Sequence, residues 1–335
     1  MRQDKCTLVA VVLSILALVI ACIAGRPPEA EAGAAKGKMA MIFPGSIQDA
    51  DWNAVGYVGL QEVGKAYDLQ VSHSEQVPIG DVERVSREYI NAGYDIIGYH
   101  SGAFPTIPMK LAPLFPKINF IQQSGRLPQV PNNIWMVGRK WYQGFYVLGV
   151  IGALSTKTNK VGYIGGVRIP DSVAIVNALL QALKEYNPSA TLVHTHIGDF
   201  NDPVKARQVA EAQIAGGVDF IVGFVNLGMY GVVEAAKASQ KPVLLTTFNT
   251  EKRDLAPTHI TASLLTDFGT PYKEIVGRIL KGERSGYYEM RPGSGMELSD
   301  IRNVPQHVPE KVKAIFKEVV AGKPLPEITD RVISP

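Results

Sequence analysis

The chain has 335 residues, with 34 Lys or Arg, 31 Asp or Glu and a formal net charge of +3. Basic and acidic residues are interspersed throughout, so the sequence has no basic stripe for a nucleic acid, and we expect no such partner. Roughly 300 residues follow the N-terminal segments described next, which is enough for one large or two medium domains.

The first 22 residues have the pattern of a bacterial lipoprotein signal. Arg2 and Lys5 carry positive charge, residues 7–21 are apolar, and the stretch LVIAC ends at Cys22. The pattern predicts a signal peptide over 1–21, cleavage before Cys22 and lipid attachment to its thiol. Cys6 lies inside the signal, so the mature chain keeps no cysteine pair. The alternative is that the apolar run remains as an uncleaved membrane anchor.

Residues 22–37 are predicted to be the lipid-bearing end and a flexible tether. The stretch 25–38 is small, polar and proline-containing, and it has no hydrophobic period. With or without cleavage, the rest of the chain is expected on the extracytoplasmic face of the cell membrane.

From residue 38 onward, short aliphatic runs alternate with longer amphipathic ones. KMAMIF predicts a strand, and WNAVGYVGLQEVGKAY places apolar residues at helical spacing. QVSHSEQV, DVERVSREYINAG and YDIIGYH continue as strand, helix and buried strand, and KINFIQQ follows as a further strand. This alternation predicts an α/β fold with a mainly parallel sheet and helices on both faces.

The same order of elements returns in the second half of the sequence. KVGYIGG at 160–166 parallels KMAMIFPG at 38–45, and DPVKARQVAEAQIAGGVDFIVGF at 202–224 parallels DVERVSREYINAGYDIIGYH at 81–100. KPVLLTTF at 241–248 likewise parallels PKINFIQQ. The repeat favours two similar doubly wound lobes, although all α/β proteins share part of this pattern.

The loops that follow the predicted strands are the expected ligand site. In doubly wound sheets ligands bind outside the carboxyl ends of the strands, so two facing lobes form one cleft lined by both sets of loops. The aromatic residues in these loops are Trp52, Phe104, Phe200, Tyr230, Phe248 and Phe268. Any one of them could be ordinary core packing. Several at the cleft ends of both lobes favour a sandwich around a planar, apolar-faced ligand.

Polar residues in the same loops are the candidates for the edges of that ligand. They are Asn53, Ser101, Asn226, Glu251 and Asp267. Amides and carboxylates supply the donors and acceptors that the amine and ring nitrogens of a purine require.

The sequence contains no set of residues that predicts catalysis. It lacks G-x-G-x-x-G, the phosphate-loop spacing, G-x-S-x-G and H-E-x-x-H. Asp49 and Asp51 are neighbouring carboxylates that are expected to cap a helix. His194 and His196 share one face of a predicted strand but have no third ligand for a metal. We therefore expect a binding protein with no cofactor and no metal, rather than an enzyme.

The chain resembles the basic membrane protein (BMP) family of lipoproteins, which are substrate-binding proteins of purine nucleoside and nucleobase importers. The resemblance covers nearly the whole mature chain. The stretches that carry it are GSIQDADWNAVGYVGL, NAGYDIIGYHSGAF, RKWYQGFYVLGVIGALSTKTNKVGYIGG, DPVKARQVAEAQIAGGVDFI and TFNTEKRDLAPTHITASLLTDFG.

The resemblance implies a type I periplasmic-binding-protein fold, with two doubly wound Rossmann-like lobes joined by a three-stranded hinge. The implied N-terminal lobe spans 38–137 with a returning segment of about 262–285. The implied C-terminal lobe spans 138–261 with about 286–335.

The resemblance also implies roles for individual residues. Trp52 would stack on the purine and Asn53 would hydrogen-bond to it. Phe200, just before an aspartate-proline, would close the sandwich from the other lobe. Ser101 and Glu251 fall where relatives contact the ligand.

One position departs from the family pattern. Nucleoside-binding relatives tend to carry a lysine after the strand ITASLL, where this chain has Thr266-Asp267. The change favours a free base such as adenine, because Asp267 would accept a hydrogen bond from its amine. The alternative is that Asp267 caps the helix that follows.

These expectations together describe a lipid-anchored, monomeric receptor that closes on a purine base or nucleoside, with an adenine-type ligand favoured. It would deliver this ligand to an ABC permease. The alternative is a ligand-sensing receptor of the same fold for another small solute, such as a sugar or an autoinducer.

The anchor can be tested directly. Cys22→Ser removes the acyl acceptor, so it should abolish both incorporation of labelled fatty acid and the processing that depends on it. An unchanged labelled band would instead identify the front segment as an ordinary membrane helix.

Overall fold

The structure, a computed structural model, describes residues 37–125, 127 and 129–333. The predicted signal peptide (1–21), Cys22 and the tether up to residue 36 lie outside the described residues. The core lies within one compact unit, Lys36–Pro335. Among the described residues, no helix combines the length and hydropathy needed to cross a membrane.

Strands and helices alternate as predicted over the described chain. The strands are β1 Lys38–Ile42, β2 Gln70–Ser74, β3 Ile96–Tyr99, β4 Asn119–Gln123, β5 Ile134–Arg139, β6 Lys160–Gly165, β7 Thr191–His196, β8 Phe220–Phe224, β9 Leu244–Asn249, β10 Ile260–Thr266, β11 Gly286–Pro292 and β12 Gly295–Leu298. The helices are α1 Trp52–Tyr67, α2 Val82–Asn91, α3 Thr106–Leu111, α4 Trp141–Ser155, α5 Pro170–Tyr186, α6 Pro203–Ala215, α7 Gly228–Ala238, α8 Gly269–Leu280 and α9 Val308–Val320.

The strands form a single sheet in the order β2-β1-β3-β4-β5-β11-β12-β10-β9-β8-β6-β7. Followed inward from its two edges, the sheet has the same winding twice, β2-β1-β3-β4-β5 and β7-β6-β8-β9-β10. Every pairing inside these two halves is parallel. The predicted α/β fold with two doubly wound Rossmann-like lobes is therefore confirmed.

The chain crosses between the two halves of the sheet three times. After β5 it enters α4, which packs on α5; after β10 it returns to α8, which packs on α1. After β11, which pairs with β5, it crosses to β12, which pairs with β10. The predicted lobe bounds remain a prediction. Two strands, however, pair with strands of the lobe opposite to the one that those bounds give them: β10 pairs with β9, and β11 pairs with β5. Most of β10 was assigned to the N-terminal lobe and β11 to the C-terminal one, because a hydrophobic run identifies a strand without identifying its neighbour.

Glycine-x-aspartate occurs before both β3 and β8, at 93–95 and 217–219, and its glycine has a clear conformational role. Gly93 and Gly217 have φ of 77° and 94°, a left-handed conformation that favours glycine and turns the chain from a helix into the next strand. The aspartates two residues later hold neighbouring backbone: Asp95 accepts from the Lys38 nitrogen, and Asp219 accepts from the Lys157 nitrogen. The repeat in the sequence is therefore a repeat of one turn.

Parallel pairing within each half places the carboxyl ends of its strands at one edge of that half. In the structure, the Asp51 side chain in the loop after β1 contacts the last residue of β9 and the loop that follows it, which belong to the other half. The loops predicted to form a cleft therefore do face one another.

Candidate ligand-binding site

The loop between β1 and α1 is built around Asp49. Its carboxylate accepts from the backbone nitrogens of Asp51 (2.9 Å), Asn53 (3.1 Å) and Ala54 (3.0 Å), and from Nδ2 of Asn53 (2.7 Å). Oδ1 of Asn53 in turn accepts from the Gly45 nitrogen at 3.3 Å. Asp49 therefore caps α1 as predicted, and the Asn53 amide helps to hold the loop in shape.

Trp52, the first residue of α1, is half-buried. Its Nε1 donates to the backbone oxygen of His100 at 3.1 Å, and the two rings lie 4.5 Å apart at 30°. The ring of Phe268 meets it edge-on at 5.0 Å, and the guanidinium carbon of Arg139 lies 5.5 Å from its centre. Trp52 therefore packs partly against the core while leaving part of its surface open, so both interpretations of this residue describe part of what it does.

A row of hydrogen bonds fixes His100 against Trp52. Arg139 Nη1 donates to Gln123 Oε1 at 3.4 Å, and Gln123 Nε2 donates to the hydroxyl of Tyr272 at 2.8 Å. That hydroxyl lies 2.6 Å from Nδ1 of His100, whose Nε2 lies 2.9 Å from the Trp52 carbonyl oxygen. A carbonyl can only accept, so Nε2 carries the proton and Tyr272 donates to Nδ1.

Burial keeps this imidazole neutral. Desolvation lowers the pKa of His100 to about 3, so the ring keeps a single proton at neutral pH. The direction of every hydrogen bond in the row is therefore fixed, from Arg139 to Trp52. The row sets the orientation of the Trp52 ring through the ring beneath it.

Phe200 lies in the second half of the sheet, in the loop between β7 and α6. It is half-buried, two residues before Asp202, whose side chain accepts from the Lys205 nitrogen at 2.9 Å and caps α6. Its ring covers Gly166, where a Cβ atom would lie 2.3 Å from the ring. Its backbone oxygen accepts from the Asn226 nitrogen at 2.9 Å. Phe200 is thus held by its backbone while part of its ring remains accessible.

A continuous row of aromatic rings connects Trp52 with Phe200. Trp52 and Trp141 are 6.5 Å apart between ring centres, and Trp141 and Phe248 are 4.9 Å apart. Phe248 lies 5.2 Å from Phe224, which lies 5.6 Å from Phe200. The three inner rings are buried. The two predicted stacking residues are therefore the partly exposed ends of one apolar row.

The side chains predicted to contact the edges of the ligand already bond to other protein groups, to different degrees. Asn226 Oδ1 accepts from Asn249 Nδ2 at 3.5 Å, a long bond that leaves capacity for a ligand. Ser101 is buried, and its Oγ accepts from the Ala103 nitrogen at 3.1 Å. Glu251 Oε1 accepts from Ser263 Oγ at 2.9 Å, which directs this carboxylate toward its own half of the sheet.

Three further candidates have structural roles, in core packing or in helix capping. Phe104, 2% exposed, packs in the core of the first half, and Phe268 is fully buried. Asp267 Oδ1 accepts from the nitrogens of Gly269 (2.7 Å) and Thr270 (3.3 Å). Asp267 therefore caps α8, as the alternative interpretation of this residue expected.

Two cavities are lined by neighbours of Trp52, namely Asn53 and Arg139, although the Trp52 ring itself lines neither. One of about 480 Å³ lies between the loop after β1 and the second half of the sheet, and its lining includes Asn53, Asn201 and Tyr230. The other, of about 370 Å³, is lined by residues that include Arg139 and Asp171. The volume of the larger cavity is within the range of small-molecule sites, roughly 300–1,000 Å³.

Direct contacts join the two halves across the cleft. Asn249 Nδ2 donates to Asp51 Oδ1 at 2.6 Å, and Lys252 Nζ lies 3.0 Å from Asp51 Oδ2. Arg139 Nη2 donates to Asp171 Oδ2 at 3.4 Å. Asp51 was expected to cap α1, but its side chain makes no capping bond, so that prediction is wrong. A carboxylate before a helix resembles a cap in the sequence whichever way its side chain points.

Comparisons with known proteins identify the family of the chain and proteins with the same fold. A family model described as ABC transporter substrate-binding protein PnrA-like (Bmp) matches residues 36–291. A purine-binding protein of Brucella abortus is 29% identical over 61% of this chain and 59% of its own length. A putative ABC transporter glucose-binding protein of Haloferax volcanii is 27% identical over 59% of this chain and 49% of its own. The chain thus spans about half the length of these two curated relatives.

A solved ABC transporter solute-binding protein from Conexibacter woesei has the same fold, with a TM-score of 0.72 and 22% identity over 88% of this chain and 100% of that one. Fold and cleft together define a solute-binding protein of the type I periplasmic class. The chain belongs to the family of PnrA-like ABC transporter substrate-binding proteins, the Bmp family.

Gly56 lies one turn after Trp52 and gives a test of the His100 packing. A Cβ atom on it would lie 2.4 Å from two ring atoms of His100, so Gly56→Ala should displace the imidazole and lower the free energy of unfolding by about 1–3 kcal/mol. Alanine otherwise favours a helix, so the loss would run against propensity. Gly80→Ala, with no atom within 4 Å of its Cβ, is the control. Equal denaturation midpoints for the two variants would contradict the packing.

Asp267→Asn separates capping from base recognition. Loss of the negative charge should lower stability by about 0.3–1 kcal/mol, because asparagine can still cap the first turn of α8 but no longer offers it a charged acceptor. The ratio of adenine to hypoxanthine affinity should stay at its wild-type value. A changed ratio with unchanged stability would make Asp267 a ligand contact instead.

Proposed function

We propose that this protein is an extracytoplasmic receptor that binds a purine nucleobase or nucleoside between Trp52 and Phe200 and delivers it to an ABC permease. The observation that carries the proposal is the pair of half-buried rings on opposite halves of the sheet, joined by a buried aromatic row. A planar ligand between them would stack on both walls when the cleft closes.

The chemistry of the cleft favours a purine over a sugar. A purine has two apolar faces and a polar edge, and base–aromatic stacking contributes about 1–3 kcal/mol per ring. A sugar presents hydroxyl groups in most directions and requires hydrogen-bond partners on most sides, which buried rings do not provide. The purine-binding relative is consistent with this choice.

Polar atoms for the edges of the ligand come from two places. Asn226 and Asn249 present amides near Phe200, and amides both donate and accept. Arg139, which only donates, and Asp171, which when ionised only accepts, meet near Trp52. The long Arg139–Asp171 bond leaves both groups able to bind a ribose or a ring substituent.

The adenine-type preference loses its proposed cause, because Asp267 is used as a helix cap. The proposed ligand class is therefore purine nucleobase or nucleoside, with the base chosen by residues other than Asp267. The membrane attachment through Cys22 remains part of the proposal and rests on the signal pattern alone.

The sandwich is tested by removing its walls. Trp52→Ala and Phe200→Ala should each weaken binding of adenosine or adenine by about 1–3 kcal/mol in a calorimetric titration, because each loses one stack. Trp52→Phe should recover most of the loss. Tyr57→Ala, on the same helix with its ring against His73, is the control and should bind as the wild type does.

Unchanged purine binding in both wall variants would place the ligand elsewhere. Binding of glucose together with no binding of any purine would overturn the proposed ligand class.

A further inference from the structure

Asp51 is a buried carboxylate whose partners all come from the opposite half of the sheet. It lies one residue before Trp52 and is 1% exposed. Its Oδ1 accepts from Asn249 at 2.6 Å, and its Oδ2 faces Lys252 Nζ at 3.0 Å. The neighbouring Ala50 oxygen accepts from Thr250 Oγ1 at 3.0 Å. Opening the cleft must break these contacts and return the carboxylate to water.

Lys252 compensates this charge only in part. Its Nζ already donates to the Phe248 oxygen at 2.6 Å and to Thr250 Oγ1 at 2.9 Å, both within its own loop. The same Nζ lies 3.0 Å from Asp51 Oδ2, so the ammonium is shared among three oxygen atoms. The ammonium is therefore held by the second half of the sheet, and Asp51 meets it only on closure.

We propose that Asp51 is the closing contact of the cleft and that the cleft closes with uptake of a proton at this carboxyl. The inference does not depend on which solute the protein binds. It makes Asp51 a positioning residue for the adjacent Trp52, and it makes capture of the ligand stronger in mildly acidic surroundings.

The charged groups around Asp51 also favour uptake of a proton by its carboxyl when the cleft closes. Asp49, in the same loop, adds negative charge, and the neighbours of Lys252, Glu251 and Arg253, are paired with each other at 3.5 Å. Burial, only partly offset by Lys252, raises the pKa of Asp51 from its usual 3.8 to about 6. A carboxyl with a raised pKa in the closed form favours closure at low pH, and this contribution is lost as the pH rises through about 6.

The size of the pH effect on affinity follows from the difference between the pKa of Asp51 in the closed form and in the open form. With a pKa of about 6 when closed and 3.8 when open, the affinity should rise about tenfold between pH 7.5 and pH 5. At pH 5, binding should take up about 0.8 protons. His100 does not contribute, because its pKa is already about 3.

Calorimetric titration with adenosine as the probe measures both quantities. At each pH, two buffers of different ionisation enthalpy give the proton uptake. Asp51→Asn keeps the shape and removes the titration, so its affinity should be the same at pH 5 and pH 7.5 and its proton uptake zero. Lys252→Met removes the compensating charge, so the gain in affinity on acidification should exceed that of the wild type.

The matched control is Glu62→Gln. Glu62 pairs with Lys273 at 2.7 Å between α1 and α8, within the first half of the sheet, so this variant should keep the pH dependence of the wild type. A merely structural role of Asp51 would lower stability without removing the proton uptake.

A second measurement needs no ligand and so separates this inference from the purine assignment. The chain from residue 38 onward has no cysteine and carries the described core, so spin labels can be placed at V58C on α1 and V204C on α6. Both positions are exposed, at 54% and 65%. The distance distribution should move toward the closed form between pH 7.5 and pH 5, and Asp51→Asn should abolish this movement.

The inference is overturned if the wild-type distribution and affinity are the same at both pH values, or if Asp51→Asn retains the change. If neither adenosine nor any other purine base or nucleoside binds, the proposed function fails, and the label distances alone decide the role of Asp51.

Discussion

The proposed ligand site depends on one buried contact, the neutral imidazole of His100 beneath the ring of Trp52. His100 bonds the Trp52 backbone oxygen through Nε2, and its own backbone oxygen accepts from the Trp52 indole. Because Tyr272 fixes the other ring nitrogen, the imidazole has one tautomer and one orientation. An exposed aromatic ring is useful for recognition only when its position is fixed beforehand, since ordering a mobile ring on binding would reduce the affinity.

The two walls of the cleft are held by different means. Trp52 is oriented by His100, directly after β3, and by side chains from β4, β5 and α8, whereas Phe200 is held by its backbone and by the glycine beneath it. The first wall also carries the contact that meets the other half of the sheet, because Asp51 directly precedes Trp52. In the proposed mechanism, closure and stacking are linked through this one short loop, and closing the cleft positions the stacking ring.

Much of this architecture could be predicted from the sequence, because it depends on local patterns. The alternation of elements, the repeat and the positions of Trp52 and Phe200 all follow from short stretches of residues. Pairings between distant residues could not be predicted in this way. Asp51 with Lys252, and His100 with Tyr272, depend on which strands adjoin in the folded sheet. Phe104 was misleading for a related reason, since a loop residue can turn inward into the core.

We propose that the cleft selects a flat, purine-containing ligand. Native mass spectrometry can test it most directly, with ligand-free protein of residues 36–335 offered an equimolar mixture of adenine, hypoxanthine, adenosine, inosine, guanosine and glucose. The account predicts that the retained mass is that of a purine base or nucleoside. Retention of glucose, or of none of the purines, would contradict it.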